Sequence, residues 1–205
     1  MKCKSHLIIG LTGGVGAGKT TVSSYLLRKG YPVIDADKTA KEIVASGSHT
    51  LYELADVFGK AILNEDGSLN RRRLADMAFS DIALKERMDK IMHGEIFLRM
   101  EKRIDEIMET GYTGIIFLDV PLLLENGDAL LKKPDEIWVI DADEETRIER
   151  VTKRDGISRQ DVLKIINNQM SSEKKRAKAH VIIENSGSEE ELYQQIDKLI
   201  KRHEQ

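Results

Sequence analysis

Eight consecutive residues, Gly13-Gly14-Val15-Gly16-Ala17-Gly18-Lys19-Thr20, combine the side chains and the missing side chains that a bound polyphosphate requires. Glycines open backbone angles closed to other residues, so successive amide N–H groups can converge on one anion. The helix that follows adds its N-terminal partial charge. At this offset Lys19 reaches the β- and γ-phosphates as a mobile point charge, and the Thr20 hydroxyl ligates Mg²⁺. A turn that only packs strand against helix has no need of the Gly-Lys-Thr ending. Gly14, Val15, Gly16, Ala17, Gly18, Lys19, Thr20 and Thr21 are therefore the expected nucleotide-binding residues, with Lys19 also acting in catalysis.

Two carboxylates follow at Asp35 and Asp37. A separation of two puts both on one side if the chain is still extended there. One would then accept the proton of a substrate hydroxyl while the other orients Mg²⁺ through water. A neighbouring carboxylate and a polyphosphate anion both raise a carboxyl pKa, which moves it toward that of a useful base. The competing reading is that one of the pair caps the helix over 38–44. Asp119 closes the apolar run Ile115-Ile116-Phe117-Leu118, as a Walker B acid does, and is open to a metal or substrate role or to a turn role.

Arg147, Arg150 and Arg154 recur at helical offsets of three and four, a cationic stripe able to fold over a nucleotide and stabilise charge on a transferring phosphoryl group. The alternative is a solvated face paired with Glu145 and Glu149. Arg71, Arg72 and Arg73 form a second basic cluster, suited either to clamping an anionic acceptor or to solubility. His93, in Met92-His93-Gly94, interrupts the longest helical stretch and is a candidate to face the acceptor.

Positioning these residues takes a sheet. Five apolar runs, 6–11, 31–34, 114–120, 136–140 and 180–183, are rich in Ile and Val and separated by helical segments. That pattern predicts a five-stranded parallel sheet covered on both faces, a three-layer α/β/α core of the P-loop class. Val22, Tyr25 and Leu26 mark the first helix, closed by Gly30. Ser188 with Glu191 predicts a capping box for the last helix, and Ser158 with Asp161 another helix start. Between the second and third strands lie roughly 75 residues of helical periodicity, more than a crossover needs. The expected division is a nucleotide-binding core over 1–37, 114–142 and 179–205, a helical acceptor-binding insertion over 38–113, and a lid over 143–178.

Composition narrows the partners. With 32 basic and 35 acidic residues the net charge is −3, so no global cationic field exists to hold nucleic acid or an anionic membrane. Aromatics are only 5% of residues, which disfavours a base-stacking platform. A single cysteine, Cys3, excludes an internal disulfide and fits a reducing, cytoplasmic setting. The opening apolar run is too short for a signal core or a membrane span. No Asn-Lys-x-Asp stretch reads guanine, and Asp119 continues as Val-Pro-Leu, not Asp-x-x-Gly, which argues against a switch GTPase.

Taken in order, Gly10-Leu-Thr-Gly-Gly-Val-Gly-Ala-Gly-Lys-Thr, Val33-Ile-Asp-Ala-Asp, Asn64-Glu-Asp-Gly-Ser-Leu-Asn-Arg71, Leu118-Asp-Val-Pro-Leu-Leu, Arg150 with Lys153-Arg154-Asp155-Gly156, and Ile183-Glu-Asn-Ser-Gly187 resemble the dephospho-coenzyme A kinase family. The resemblance runs from about Ile8 to about Leu199. It implies transfer of the γ-phosphate of ATP to the ribose 3′-hydroxyl of dephospho-coenzyme A, the last step of coenzyme A synthesis, with Mg²⁺ as cofactor. By family pattern Asp37 is the catalytic base, Asp35 its neighbour toward metal and substrate, and Arg150 and Arg154 lid residues. Arg71, His93, Asp119 and Pro121 lie on the substrate side, and Asn185 to Gly187 border the adenine. The chain departs from that pattern at Gly94, where the family has Pro, at His180 and Glu184, where it has Asp, and at Leu124, where it has Phe. A monomer is the default expectation for its oligomeric state.

Overall fold

The computed structural model describes residues 6–126 and 133–204, so Cys3 lies outside the described residues. By its internal contacts the chain divides into two units. One holds residues up to Asp35 and from Glu106 onward, the other Ala36–Asp105.

The first unit is built on five strands, β1 (Leu7–Gly13), β2 (Val33–Asp35), β3 (Ile115–Asp119), β4 (Glu136–Asp141) and β5 (Val181–Glu184). All pair in parallel, in the order β2-β3-β1-β4-β5. Burial on both faces explains the unbroken apolar runs: all five residues of β3 are buried, as are the last six of β1. Four of the five expected strands end one or two residues further on than the apolar runs do, because pairing continues through polar residues at the carboxyl edge. Leu11 pairs with Asp119, Asp35 with Asp119 and Gly13 with Ile140. β1 lies between β3 and β4, so successive connections leave it toward opposite edges, and a ligand-binding crevice opens at the carboxyl end of such a switch point.

Helix α1 (Lys19–Arg28) follows β1 after the glycine-rich loop and buries Val22 and Leu26. Gly30, at φ +89°, ends the turn beyond it, where the Tyr31 amide returns to the Leu26 carbonyl at 3.1 Å. The core on this face joins Ile9, Leu11, Leu26, Phe117, Trp138 and Ile196, and the Phe117 and Trp138 rings meet edge to face at 5.6 Å. The Ile196 in this cluster belongs to the C-terminal helix over Glu189–His203, whose Ser188 and Glu191 form the expected capping box.

The second unit is helical: α2 (Ala36–Ile43), α3 (His49–Phe58), α4 (Arg71–Ser80) and α5 (Ile82–Glu109), which continues into the first unit at Glu106. Leu51, Leu54, Phe58 and Leu74 are buried, as their periodicity predicts. Residues 63–69 form a tight turn in which Leu63 bridges Leu69 and the Asn64 amide donates to the Ser68 carbonyl at 2.8 Å. Asn70 then caps α4 by accepting from the Arg73 amide at 2.9 Å.

Two expectations fail here. His93 does not interrupt a helix, because α5 is continuous through it and Gly94 faces open space, where glycine costs only about 1 kcal/mol. Nor is the chain extended across Asp35 to Asp37. Helix α2 begins at Ala36, so strand alternation does not put the two carboxylates on one side.

Truncating a ring at the centre of β3 tests the core. Phe117→Ala should lower the unfolding free energy by about 3–5 kcal/mol, read from a urea titration.

Candidate active site

In the first unit, the chain leaves β1 at Gly13 and turns into α1 through positions that only glycine fills comfortably. Gly16 and Gly18 have φ of +78° and +92°. A methyl group on Gly18 would lie 2.1 Å from the Asn185 side-chain nitrogen, and one on Gly16 would lie 2.5 Å from the Arg147 carbonyl oxygen. Backbone angle and close neighbour therefore demand glycine together. Gly18 serves as the N-cap of α1 without any side-chain cap, which leaves the first amides of the helix directed at the loop's concave side. That arrangement can cradle a phosphate.

Lys19, the first residue of α1, sends its ammonium to the Asp119 carboxylate, which the Ser23 hydroxyl also meets. Both partners are largely out of solvent. Asp119, ending β3, therefore anchors the lysine at the sheet's carboxyl edge, and through the β2–β3 register it stands beside Asp35. Thr20 is exposed in the first turn of α1, with Thr21 half-buried after it. Pro121, two residues past Asp119, is fixed by the Thr12 hydroxyl, which donates to its carbonyl at 2.8 Å. No cluster of three or more His, Cys, Asp or Glu able to cage a metal occurs among the described residues. Mg²⁺ ordinarily takes one or two protein oxygens together with substrate phosphates, and Thr20 and Asp35 are residues that could supply them.

The opposite wall comes from the segment after β4. Helix α6 (Leu123–Asn126) follows β3, and past β4 come α7 (Glu144–Asp155), α8 (Arg159–Asn167), α9 (Ser172–Lys178) and, after β5, α10 (Glu189–His203). Ser158 caps α8 as expected. Asn185, just past β5, is 5% exposed and donates from its amide to the Ala17 carbonyl at 2.7 Å, so the C-terminal strand holds the loop from below. Gly187 is exposed two residues on.

The expected stripe on α7 does not form as a single exposed face. Arg147 is buried, Arg150 is half-buried with one guanidinium nitrogen enclosed and unpartnered, and Arg154 is exposed and paired with Asp155 at 2.6 Å. Seven residues apart, Arg147 and Arg154 share nearly one side of α7, so the difference lies along its length: Arg147 sits in the first turn against the loop, and Arg154 about two turns further on, in the last turn. Glu145, offered as a partner for the stripe, pairs with Arg159 at 2.5 Å.

In the second unit, Asp37 is exposed in the first turn of α2, and Arg71 is exposed as the first residue of α4. His93 is half-buried, its ring centroid 5.9 Å from that of Phe97 on the same helix.

Three supporting contacts escaped the sequence reading. Gln169 and Arg147 both bond to Val15 in the loop, and Lys175, buried on α9, pairs with Glu125 of α6. Of the three, the tight space around Gly14 and Gly16 reflects the Arg147 contact alone, and no linear pattern carries any of them. His180 and Glu184, both departures from the family pattern, have local partners. The Ile137 amide donates to the His180 Nδ1 at 3.0 Å, and Arg176 pairs with Glu184 at 2.7 Å.

Residues 7–191 match the family model described as dephospho-CoA kinase. The chain belongs to the dephospho-CoA kinase family. A dephospho-CoA kinase of Corynebacterium jeikeium is 40% identical over 191 residues, covering 93% of this chain and 96% of that one. One from Shouchella clausii is 37% identical over 188 residues, covering 92% and 94%. The crystal structure of TT1252 from Thermus thermophilus superposes with a TM-score of 0.79 at 33% identity, covering 97% of this chain and 98% of that one. No helix among the described residues of this family member is long and apolar enough to cross a membrane.

Asp143, the N-cap of α7, has its carboxyl lowered to about 2, first by the Thr146 amide it accepts from and then by the hydroxyls of Thr146 and Ser186. Its folded pKa lies below the unfolded value, so this contribution to stability is fully present above about pH 4 and is lost as pH falls toward 2. Urea midpoints of wild type and Asp143→Asn, compared from pH 6 to pH 2, should therefore converge at the acid end.

Proposed function

We propose that the chain is an ATP-dependent kinase that phosphorylates the ribose 3′-hydroxyl of dephospho-coenzyme A, giving coenzyme A and ADP, the last step of coenzyme A synthesis. Family membership across residues 7–191 supplies the substrate, and one structural observation carries the chemistry. That observation is the glycine cradle from β1 into α1, at the switch point of the sheet, with Lys19 drawn to its edge by Asp119.

In this reading the main-chain amides from Gly16 to Lys19 and the start of α1 take the terminal phosphates of ATP, Lys19 neutralises charge that grows on the transferring group, and Thr20 and Thr21 flank it. Mg²⁺, held through Thr20 and by water from Asp35, would supply charge neutralisation at the phosphate oxygens. Arg150 stabilises the phosphoryl oxygens, and its enclosed unpartnered nitrogen supports that role. Arg154 lies one turn further on, and Asn185 and Gly187 border the adenine. Asp37 removes the proton from the acceptor hydroxyl, an assignment that rests on the family pattern. Asp35, Arg71, His93, Asp119 and Pro121 complete the substrate side. The segment over 38–113 then serves as the acceptor-binding part and that over 143–178 as the lid, whose closure excludes water as a competing acceptor. We also infer a cytoplasmic monomer, and one that engages no nucleic acid, the last point being supported by the near-neutral charge balance.

With ATP and Mg²⁺, purified protein should release ADP in the presence of dephospho-coenzyme A and not with nucleoside monophosphates; turnover with monophosphates alone would overturn the assignment. Lys19→Ala should reduce turnover by a factor of about 10²–10³. Asp37→Asn should slow single-turnover transfer by about 10²–10⁴ while ATP affinity stays nearly unchanged, and near-normal chemistry would move the base to Asp35.

A further inference from the structure

The phosphate cradle is held from outside by two side chains of the segment that follows β4. The Val15 amide donates to the Gln169 side-chain carbonyl at 2.9 Å, and the Val15 carbonyl accepts from the Arg147 Nε–H, also at 2.9 Å. Both main-chain groups of one loop residue are thus taken by the 143–178 segment. Arg147 is only 5% exposed, and burying a guanidinium is expensive unless its donors are satisfied. It reaches the Ser172 hydroxyl at 3.1 Å, and that hydroxyl meets the Asp141 carboxylate at 3.0 Å, where Arg176 also bonds. A chain of bonds therefore runs from the carboxyl end of β4 through Arg147 to the apex of the loop.

Shape reinforces this. A methyl group on Gly14 would lie 2.5 Å from the Arg147 guanidinium, and one on Gly16 would lie 2.9 Å from a Val151 methyl. The loop's glycines make room for helix α7 as much as for phosphate.

Such a loop is costly to order, because glycine gives up more conformational freedom than any other residue. Ordering it before a ligand arrives moves that cost from binding to folding. The same helix carries Arg150, whose Nη1 would be 3.7 Å from a methyl group on Gly18 and is buried with no protein partner. Anchoring α7 at Val15 therefore also fixes how far Arg150 stands from the cradle.

We infer that Arg147 and Gln169 are positioning residues that preset the phosphate loop and its spacing to Arg150 by gripping Val15 from both sides. The inference rests on the reading of this loop as the ATP phosphate site.

The test uses the full chain and measures the ATP dissociation constant by calorimetry alongside the KM of each substrate. Arg147→Met keeps the length of the side chain and removes the donors, and should weaken ATP binding about tenfold while the KM for dephospho-coenzyme A changes by less than about twofold. Gln169→Met should act in the same direction. Arg147→Gln, which keeps one N–H donor, should recover part of the loss. Amide exchange at residues 13–18 should be faster in Arg147→Met and should slow again with ATP. If Arg147→Met fails to fold, Gln169→Met and Arg147→Gln carry the test. Folded variants with wild-type ATP affinity, or ones whose losses track melting temperature and fall equally on both substrates, would overturn the inference. Because ATP affinity is read without an acceptor, a wild-type enzyme that ignored dephospho-coenzyme A would count against the proposed reaction and leave the affinity comparison to decide the clamp.

Discussion

The glycine-rich loop at the carboxyl end of β1 must keep one particular backbone shape, and much of the first unit is arranged so that it does. Amide donors aimed in advance stabilise an anion without reorganising when it arrives. The aim depends on backbone angles that only glycine adopts at low cost, at Gly16 and Gly18, and on neighbours that would collide with any side chain there. Parallel pairing of β1 with β3 on one side and β4 on the other fixes where the loop starts.

Charge is settled by the same geometry. Lys19 is held by Asp119 at the end of β3, with Ser23 sharing the carboxylate, so neither ion is stranded in a poorly solvated place. Register puts Asp35 next to Asp119, which gathers two acids and one cation within the width of neighbouring strands. The cradle is then braced from below by Asn185 on the Ala17 carbonyl. Glycine-rich loops are intrinsically pliable, and here the bracing comes from residues more than a hundred positions away in the chain.

The cradle itself was plain in the sequence, because its chemistry is local: glycine spacing, the lysine and the threonine lie within eight residues. The five strands were legible for a related reason, since burial on both faces leaves continuous runs of Ile and Val. Capping signals at Ser158 and Ser188 also read correctly, each being a bond across three residues. What misled was periodicity pushed past its range. Strand alternation at Asp35 to Asp37 assumed an extended chain, yet helix α2 starts at Ala36. Helical offsets grouped Arg147 with Arg150 and Arg154, although the three meet interior, boundary and solvent in turn. His93, followed by Gly94, read as an interruption, but neither residue ends a helix that long.

By itself, then, the chain's sequence determined the class of fold, the place of the glycine-rich loop between β1 and α1, and the family, all of which depend on residue types at short, fixed spacing. Only tertiary structure decided that Asp119 holds Lys19, that Asn185 supports Ala17, and that Arg147 and Gln169 grip Val15. Those pairs depend on strand order, and strand order follows from how all the helices pack on the sheet together, a property that no short window of residues contains.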